Sequence, residues 1–388
     1  MKTTIPVNPV MLRWARETAG LEVEIVAQKL NKDVKDILSW ESEPRKDSPT
    51  YVQLEKLAYE IYKRPLAIFF FPEPPQEESP KQSFRTLPEQ EILMLTPRLR
   101  FLIRQARLQQ LNLSELYDNI NPVASHIIRD LSFSPNISVV EMAANVRKYF
   151  NIDITTQSSW KDVNTAFKNW RDILEEHGVF VFKEAFKNNA FSGFCLYDKQ
   201  FPVIYVNNSV SDSRQIFTLF HELAHLLFGT GGVDTRLEDY IKFLQGDDKT
   251  IEILCNRFGG EFLVPDSDFN QRIVGVFIND ESIQHLANQY CVSREVILRK
   301  FLDRNAVNQQ YYNTKVEQWA KEAKRHGEGG GNYYLTKGVY LGERYIEKAF
   351  SKYYQKSISI EQLAEYLSVK VKNVSGMESL LFHKGAES

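Results

Sequence analysis

The chain has 388 residues, a formal charge of −2 and only three cysteines, Cys195, Cys255 and Cys291. That length allows two or three domains with their own cores, while the near-neutral charge excludes bulk electrostatic attraction to nucleic acid as the main theme. Scattered cysteines without a CxxC pair exclude a disulfide framework and a zinc ribbon, and no apolar run approaches the ~20 residues of a membrane span; with no signal-peptide core in Met1–Pro6, a cytoplasmic protein without a membrane partner is expected.

Residues 1–71 predict a compact helical unit. Asn8-Pro9 opens a first helix, and Glu22–Leu30, Val34–Ser42 and Tyr51–Tyr62 carry apolar residues at helical spacing. Short helices joined by tight turns read as a helix-turn-helix bundle. The string Ile37-Leu38-Ser39-Trp40-Glu41-Ser42, followed by Pro49-Thr50-Tyr51-Val52-Gln53-Leu54, resembles repressor-type (XRE-like) DNA-binding domains. The resemblance implies that the early part of a recognition helix faces DNA, which nominates Lys32, Lys35 and Ser39. Lys32 and Lys35 alternate with Asp33 and Asp36, so that helix gains little net positive charge for phosphate. A protein-interaction module on the same fold is the alternative.

Residues 72–90 form a stiff, acidic, proline-rich linker. A helical connecting region follows at 91–160. Its helix over Thr96–Tyr117 sets Arg100, Arg104 and Arg107 opposite Leu99, Leu102, Ile103 and Ala106, a pattern expected of a solvated amphipathic face. Gly178–Phe182, Phe191–Leu196 and Pro202–Asn207 read as strands. The last of these, through Val203, Tyr205 and Asn207, is the candidate edge on which an extended substrate would add as a strand; a buried central strand fits the same residues equally well. Cys195 is expected to be a packing residue rather than a thiolate ligand.

Phe217–Gly229 is an apolar run containing His221-Glu222-Leu223-Ala224-His225. On a helix, residues i and i+4 share a face, so both imidazoles reach one metal ion. Glu222 lies about 100° around the helix, where a general base for the attacking water belongs. A zinc hydrolase needs a third protein ligand. Glu252 opens a second apolar-periodic segment that ends near Pro265, with Glu261 and Glu238 as rival carboxylates. Asn256, one turn after Glu252, is placed to hydrogen-bond a ligand histidine.

Pro202–Asn207, Arg214–Leu219 running into His221–His225, Glu252–Phe258 and Phe262–Pro265 together resemble the ImmA/IrrE metallo-endopeptidases. The resemblance implies Zn2+ on His221, His225 and Glu252, with Glu222 as the base. Cys255 and Gly259-Gly260 stand where that family often has alanines.

Beyond the peptidase segment, Leu286–Val292 and Leu363–Val369 share a Leu-Ala-x-x-x-x-Val frame, and each runs on into a helical stretch; Ala27–Val34 is a looser third example. Glycines at 327 and 329–331 read as a hinge. The expected fold is mostly α and multidomain: a helix-turn-helix bundle at 1–71, the linker at 72–90, the connecting region at 91–160 and an α+β zincin-like (gluzincin-type) peptidase domain with a small sheet at 161–275. A helical region at 276–325 and a small helical C-terminal domain at 326–388 complete it. The expected function is a regulatory zinc endopeptidase cleaving a repressor- or antitoxin-like protein. The alternative is a DNA-binding regulator or toxin–antitoxin component whose metal domain is a sensor or scaffold.

Overall fold

Helix starts in the first residues are set by local hydrogen bonding. Asn8 accepts from the Val10 amide at 3.0 Å with Pro9 as the first helical residue, and Thr50 and Gln53 form a reciprocal capping box. In the computed structural model these caps open α1 (Pro9–Thr18) and α4 (Tyr51–Glu55), with α2 (Val23–Leu30) and α3 (Val34–Trp40) between them. The structure describes residues 4–44, 46–84, 92, 95–188, 190–235, 244, 246–323 and 333–384. By internal contacts the chain forms two units, 1–82 with 89–105 and 83–88 with 106–388.

In the first unit Met11, Leu12, Val26, Ile37, Trp40 and Leu54 share one core. Beside it a buried ion pair closes on itself: Arg16 Nε and Nη2 each donate to the Glu41 carboxylate at 2.9 Å. The next long helix, α5, spans Pro97–Leu116. Its arginines do not form the expected solvated stripe. Arg100 donates to the carbonyls of Ile92 and Leu95, Arg104 to that of Tyr62 at 3.1 Å, and Arg107 to Gln110. Burial lowers the Arg104 pKa to about 10. Half-buried loop ends leave carbonyls that need donors, and long guanidinium side chains supply them.

The second unit is built around a four-stranded sheet, with strands β1 (Phe180–Glu184), β2 (Phe191–Leu196), β3 (Val203–Asn207) and β4 (Gly232–Thr235) in the order β1-β3-β2-β4. β1 runs parallel to β3, and the other pairs are antiparallel. The expectation that β3 is an edge is overturned. β3 is hydrogen-bonded on both sides, and Val203, Tyr205 and Asn207 are all buried. Asn207 instead staples loops, accepting from Phe186 N and donating to the carbonyls of Asn188 and Phe191.

Helices α7 (Val163–Glu176) and α8 (Asp212–Leu227) pack on this sheet, α9 (Gly246–Leu263) packs on α8, and α6 (Val139–Phe150) packs on α9. Every residue of α8 from Thr218 to Leu227 is buried, as befits a helix enclosed on all sides. Trp170 of α7, Phe220 of α8 and Phe262 of α9 lock the three together, with the Phe220 and Phe262 rings stacked at 4.2 Å. One apolar core takes in residues from Ile127 to Trp319, so the segments expected to divide near 160 and 275 share it. Helices within 333–384 pack on β1, where Tyr345 meets Phe182 edge-on at 5.4 Å. The glycine hinge falls outside the described residues.

The repeated frame corresponds to a repeated backbone corner. Asn31, Cys291 and Ser368 all adopt left-handed φ values of 52–53°. The next amide in each copy reaches back to the frame alanine at 2.9 Å: Lys32 to Ala27, Val292 to Ala287, and Val369 to Ala364. This is a Schellman-type ending that turns the chain into the next helix.

Candidate metal centre

Helical spacing brings His221 and His225 to one face of α8, and α9 lies across that face with Glu252 aimed at both. The two Nε2 atoms are 3.2 Å apart, and Glu252 places Oε1 3.2 Å from His225 Nε2 and Oε2 3.7 Å from His221 Nε2. Ligands bound tetrahedrally at ~2.0–2.1 Å would stand about 3.3 Å from one another. The observed separations fit a divalent metal ion without rearrangement. All three groups are buried, and among the described residues they are the only such cluster of histidine, cysteine and carboxylate groups.

Rivals to Glu252 are otherwise engaged or undescribed. Glu261 is bound by Lys300 Nζ at 2.7 Å and by the Asp266 amide at 3.0 Å. Glu238 lies outside the described residues.

Burial opposes a charged His225, yet its neighbours Cys255, through a hydrogen bond, and Glu252, through its carboxylate, outweigh burial and raise its pKa. Glu222, also buried, faces Cys195 on β2. Burial first, and the Glu222 carboxylate next, push the Cys195 thiol well up, while burial pushes Cys255 to about 11. Both therefore remain thiols at neutral pH and stand outside the three-group cluster, in keeping with a packing role. Cys195 Sγ accepts from the Gly232 amide at 3.2 Å.

Gly232 is a residue the sequence reading missed. A Cβ there would stand 2.6 Å from His225 Nε2 and closer still to Cδ2. Only glycine lets the β4 backbone come this close to the imidazole. Thr230 was missed as well: its hydroxyl lies 3.4 Å from His225 Nδ1 and donates to the His225 carbonyl at 3.1 Å. Asn256, expected in that role, makes no hydrogen bond to either imidazole among the described residues. It lines a groove instead. The Gly229-Thr230-Gly231 turn directly after the helix was the available signal for Thr230.

The residues nominated for DNA lie in the first unit and are engaged within their own segment. Lys32 pairs with Asp36 at 3.5 Å, Lys35 with Asp33 at 3.3 Å, and the Ser39 hydroxyl donates to the Asp36 carbonyl at 2.7 Å.

The IrrE N-terminal-like domain of the M78 peptidases matches residues 174–302, which hold β1 to β4, both histidines and Glu252. The radiation response metalloprotease IrrE of Deinococcus deserti is 31% identical over 142 residues, which are 36% of this chain and 48% of that protein. The chain thus spans about half the length of this curated relative. No helix among the described residues is long and apolar enough to cross a membrane. In sequence, residues 174–302 are thus similar to the IrrE N-terminal-like domain of the M78 peptidases, and they carry the buried His221, His225 and Glu252 group.

Proposed function

We propose that this protein is a zinc-dependent endopeptidase of narrow, regulatory range, cutting a repressor- or antitoxin-like protein. The observation that carries the reading is the buried donor set of His221, His225 and Glu252 at tetrahedral spacing, with Glu222 one residue along the same helix. Two imidazoles and one carboxylate suit zinc and leave the centre with net positive charge. The bound ion would supply Lewis acidity, making water nucleophilic near neutral pH and polarising the scissile carbonyl.

The rest is the work of the chain. Glu222 takes the proton from the attacking water on its carboxylate and returns it to the departing amide nitrogen. The rigid packing of α8 against α7 and α9 fixes the distance between that carboxylate and the ligand face. β4 is an end strand of the sheet, and Gly232 brings its backbone against His225. A substrate strand added to the outer side of β4 would run past the reacting centre, held by main-chain hydrogen bonds. A regulatory role is supported by the likeness to the radiation response metalloprotease of Deinococcus deserti. Operator binding by the first unit has weaker support, because the cations nominated for phosphate are matched by neighbouring carboxylates.

The test incubates zinc-loaded protein and its Glu222→Gln variant with a proteome-derived peptide library and with any small repressor or antitoxin encoded beside it. Cleavage by the wild type and a loss of about 10²–10⁴-fold in the variant are expected. Persistent cleavage by Glu222→Gln removes Glu222 from its role. A purified protein that holds no zinc and shifts operator DNA favours the regulator alternative.

A further inference from the structure

The chain turns back on His225 as soon as α8 ends. Gly229 adopts a left-handed φ of 71°, which reverses the backbone and returns Thr230 to the helix it has just left. Thr230 is anchored there twice: its amide donates to the His225 carbonyl at 2.9 Å, and its hydroxyl donates to the same carbonyl at 3.1 Å. The hydroxyl oxygen then stands 3.4 Å from His225 Nδ1. That contact is long, but its direction is fixed by the count of protons.

A hydroxyl has one proton to give, and a carbonyl can only accept. With its proton committed to the His225 carbonyl, the Thr230 oxygen meets Nδ1 as an acceptor, so Nδ1 carries a hydrogen. A neutral imidazole protonated at Nδ1 keeps its lone pair on Nε2. Nε2 is the atom that lies 3.2 Å from both Glu252 Oε1 and His221 Nε2. The Glu252 carboxylate by itself would draw the hydrogen to Nε2, the atom that a metal ion needs bare. Thr230 draws it the other way. Elsewhere on the ring, the β4 backbone at Gly232 lies against Cδ2 and Nε2 and holds the imidazole in place without favouring either nitrogen as a proton carrier.

We infer that Thr230 is a positioning residue of the metal centre: its hydroxyl accepts from His225 Nδ1, selects the Nδ1–H form of the imidazole and so leaves Nε2 open to the ion. The inference rests on the reading of His225 as a zinc ligand given above. A hydrogen-bond acceptor on the far nitrogen also makes the ligating nitrogen more basic, which strengthens its hold on a metal. The rival for this role is Cys255 of α9, which is hydrogen-bonded to the same imidazole. A thiol is a weak partner beside a hydroxyl, and Thr230, unlike Cys255, is fixed to the backbone of the ligand residue itself.

The test measures zinc affinity, by competition with a chromogenic chelator, on full-length wild type, Thr230→Val, Thr230→Ser and Cys255→Ala. No peptide cleavage enters the measurement. Thr230→Val keeps the shape of the side chain and loses the acceptor, and should bind zinc about 10–100-fold more weakly. Thr230→Ser keeps the hydroxyl and should stay near wild type, as should Cys255→Ala. A second readout needs no variant at position 230 that could misfold. Heteronuclear NMR of zinc-loaded wild type with isotope-labelled histidine should show a slowly exchanging Nδ1–H on His225, assigned by its loss in His225→Gln. Zinc binding as tight in Thr230→Val as in wild type, or a His225 ring without hydrogen on Nδ1, overturns the inference and leaves the three-ligand centre standing. A loss in Thr230→Ser as large as that in Thr230→Val overturns it as well, because the turn and not the acceptor would then matter. A matching loss in Cys255→Ala gives the role to Cys255. Wild type that binds no zinc brings down the metal reading and the inference together.

Discussion

Two clusters in this molecule are each built around a buried carboxylate, Glu41 or Glu252, and differ in chemistry. In the first unit, Arg16 lays its guanidinium against Glu41, so each carboxylate oxygen receives a donor and both charges cancel. In the second, His221, His225 and Glu252 converge as three electron-pair donors whose common preference is a cation. Burial of charge is thus no mark of function in itself. The arginine pair is a closed structural element, and the histidine cluster is arranged for a guest.

The sharpest way to break this contrast is to remove a member of the open cluster. Glu252→Ala should lower zinc affinity by more than about a hundredfold, exceeding typical losses from removing a residue that merely supports a ligand. Metal analysis after dialysis checks it, and full retention of zinc would put Glu252 outside the site. In the closed cluster, Arg16→Met should destabilise the first unit by about 3–5 kcal/mol, because Glu41 would be left buried without its partner. The double variant Arg16→Met with Glu41→Leu should recover most of that loss in denaturant melts, with zinc content unchanged throughout. A double variant as unstable as the single one would show that the pair matters beyond its own charges.

A third buried charge tests the same idea by pH. Lys183 sits 4.1 Å from the centre of the Phe167 ring and 4.0 Å from Asp212, and burial lowers its pKa to about 8. Below that value both folded and unfolded chains hold the proton, and the folded state carries the cost of a buried cation. Between about 8 and the ~10.4 of a free lysine only the unfolded chain is protonated, so this contribution to stability rises with pH. Lys183→Met should therefore be more stable than wild type at pH 7, by up to about 3 kcal/mol, with the advantage fading toward pH 10.5. A pH-independent difference would refute the assignment. The smallest effect is expected at the edge strand. Gly232→Ala must push β4 or His225 aside, at a cost of about 1–3 kcal/mol, with partial loss of zinc and an intact first unit.

The chemistry of the centre was legible because it is local. Two histidines four residues apart on an apolar helix share a face whatever surrounds them, and the Leu-Ala frames announced their left-handed corners in the same way. Glu252 was singled out by its family resemblance, since spacing alone left Glu261 and Glu238 open; tertiary contacts then occupied Glu261 with Lys300. The edge strand was misjudged because an apolar run of five residues reads alike in an end strand and an interior one. Strand order depends on pairing partners distant in sequence, and it put β3 inside and β4 at the end. The arginines of α5 were misread for the same reason: periodicity reveals that a face is polar but not whether water or buried carbonyls lie against it.

By itself, then, the sequence determined the ligand types, their helical spacing and the family they resemble, since these rest on backbone geometry within a few residues. Only the tertiary structure decided that Glu252 stands with His221 and His225 in one buried group, that Gly232 brings a strand against His225, and that a groove opens beside the two helices. Those are distances between segments, set by how helices and strands pack.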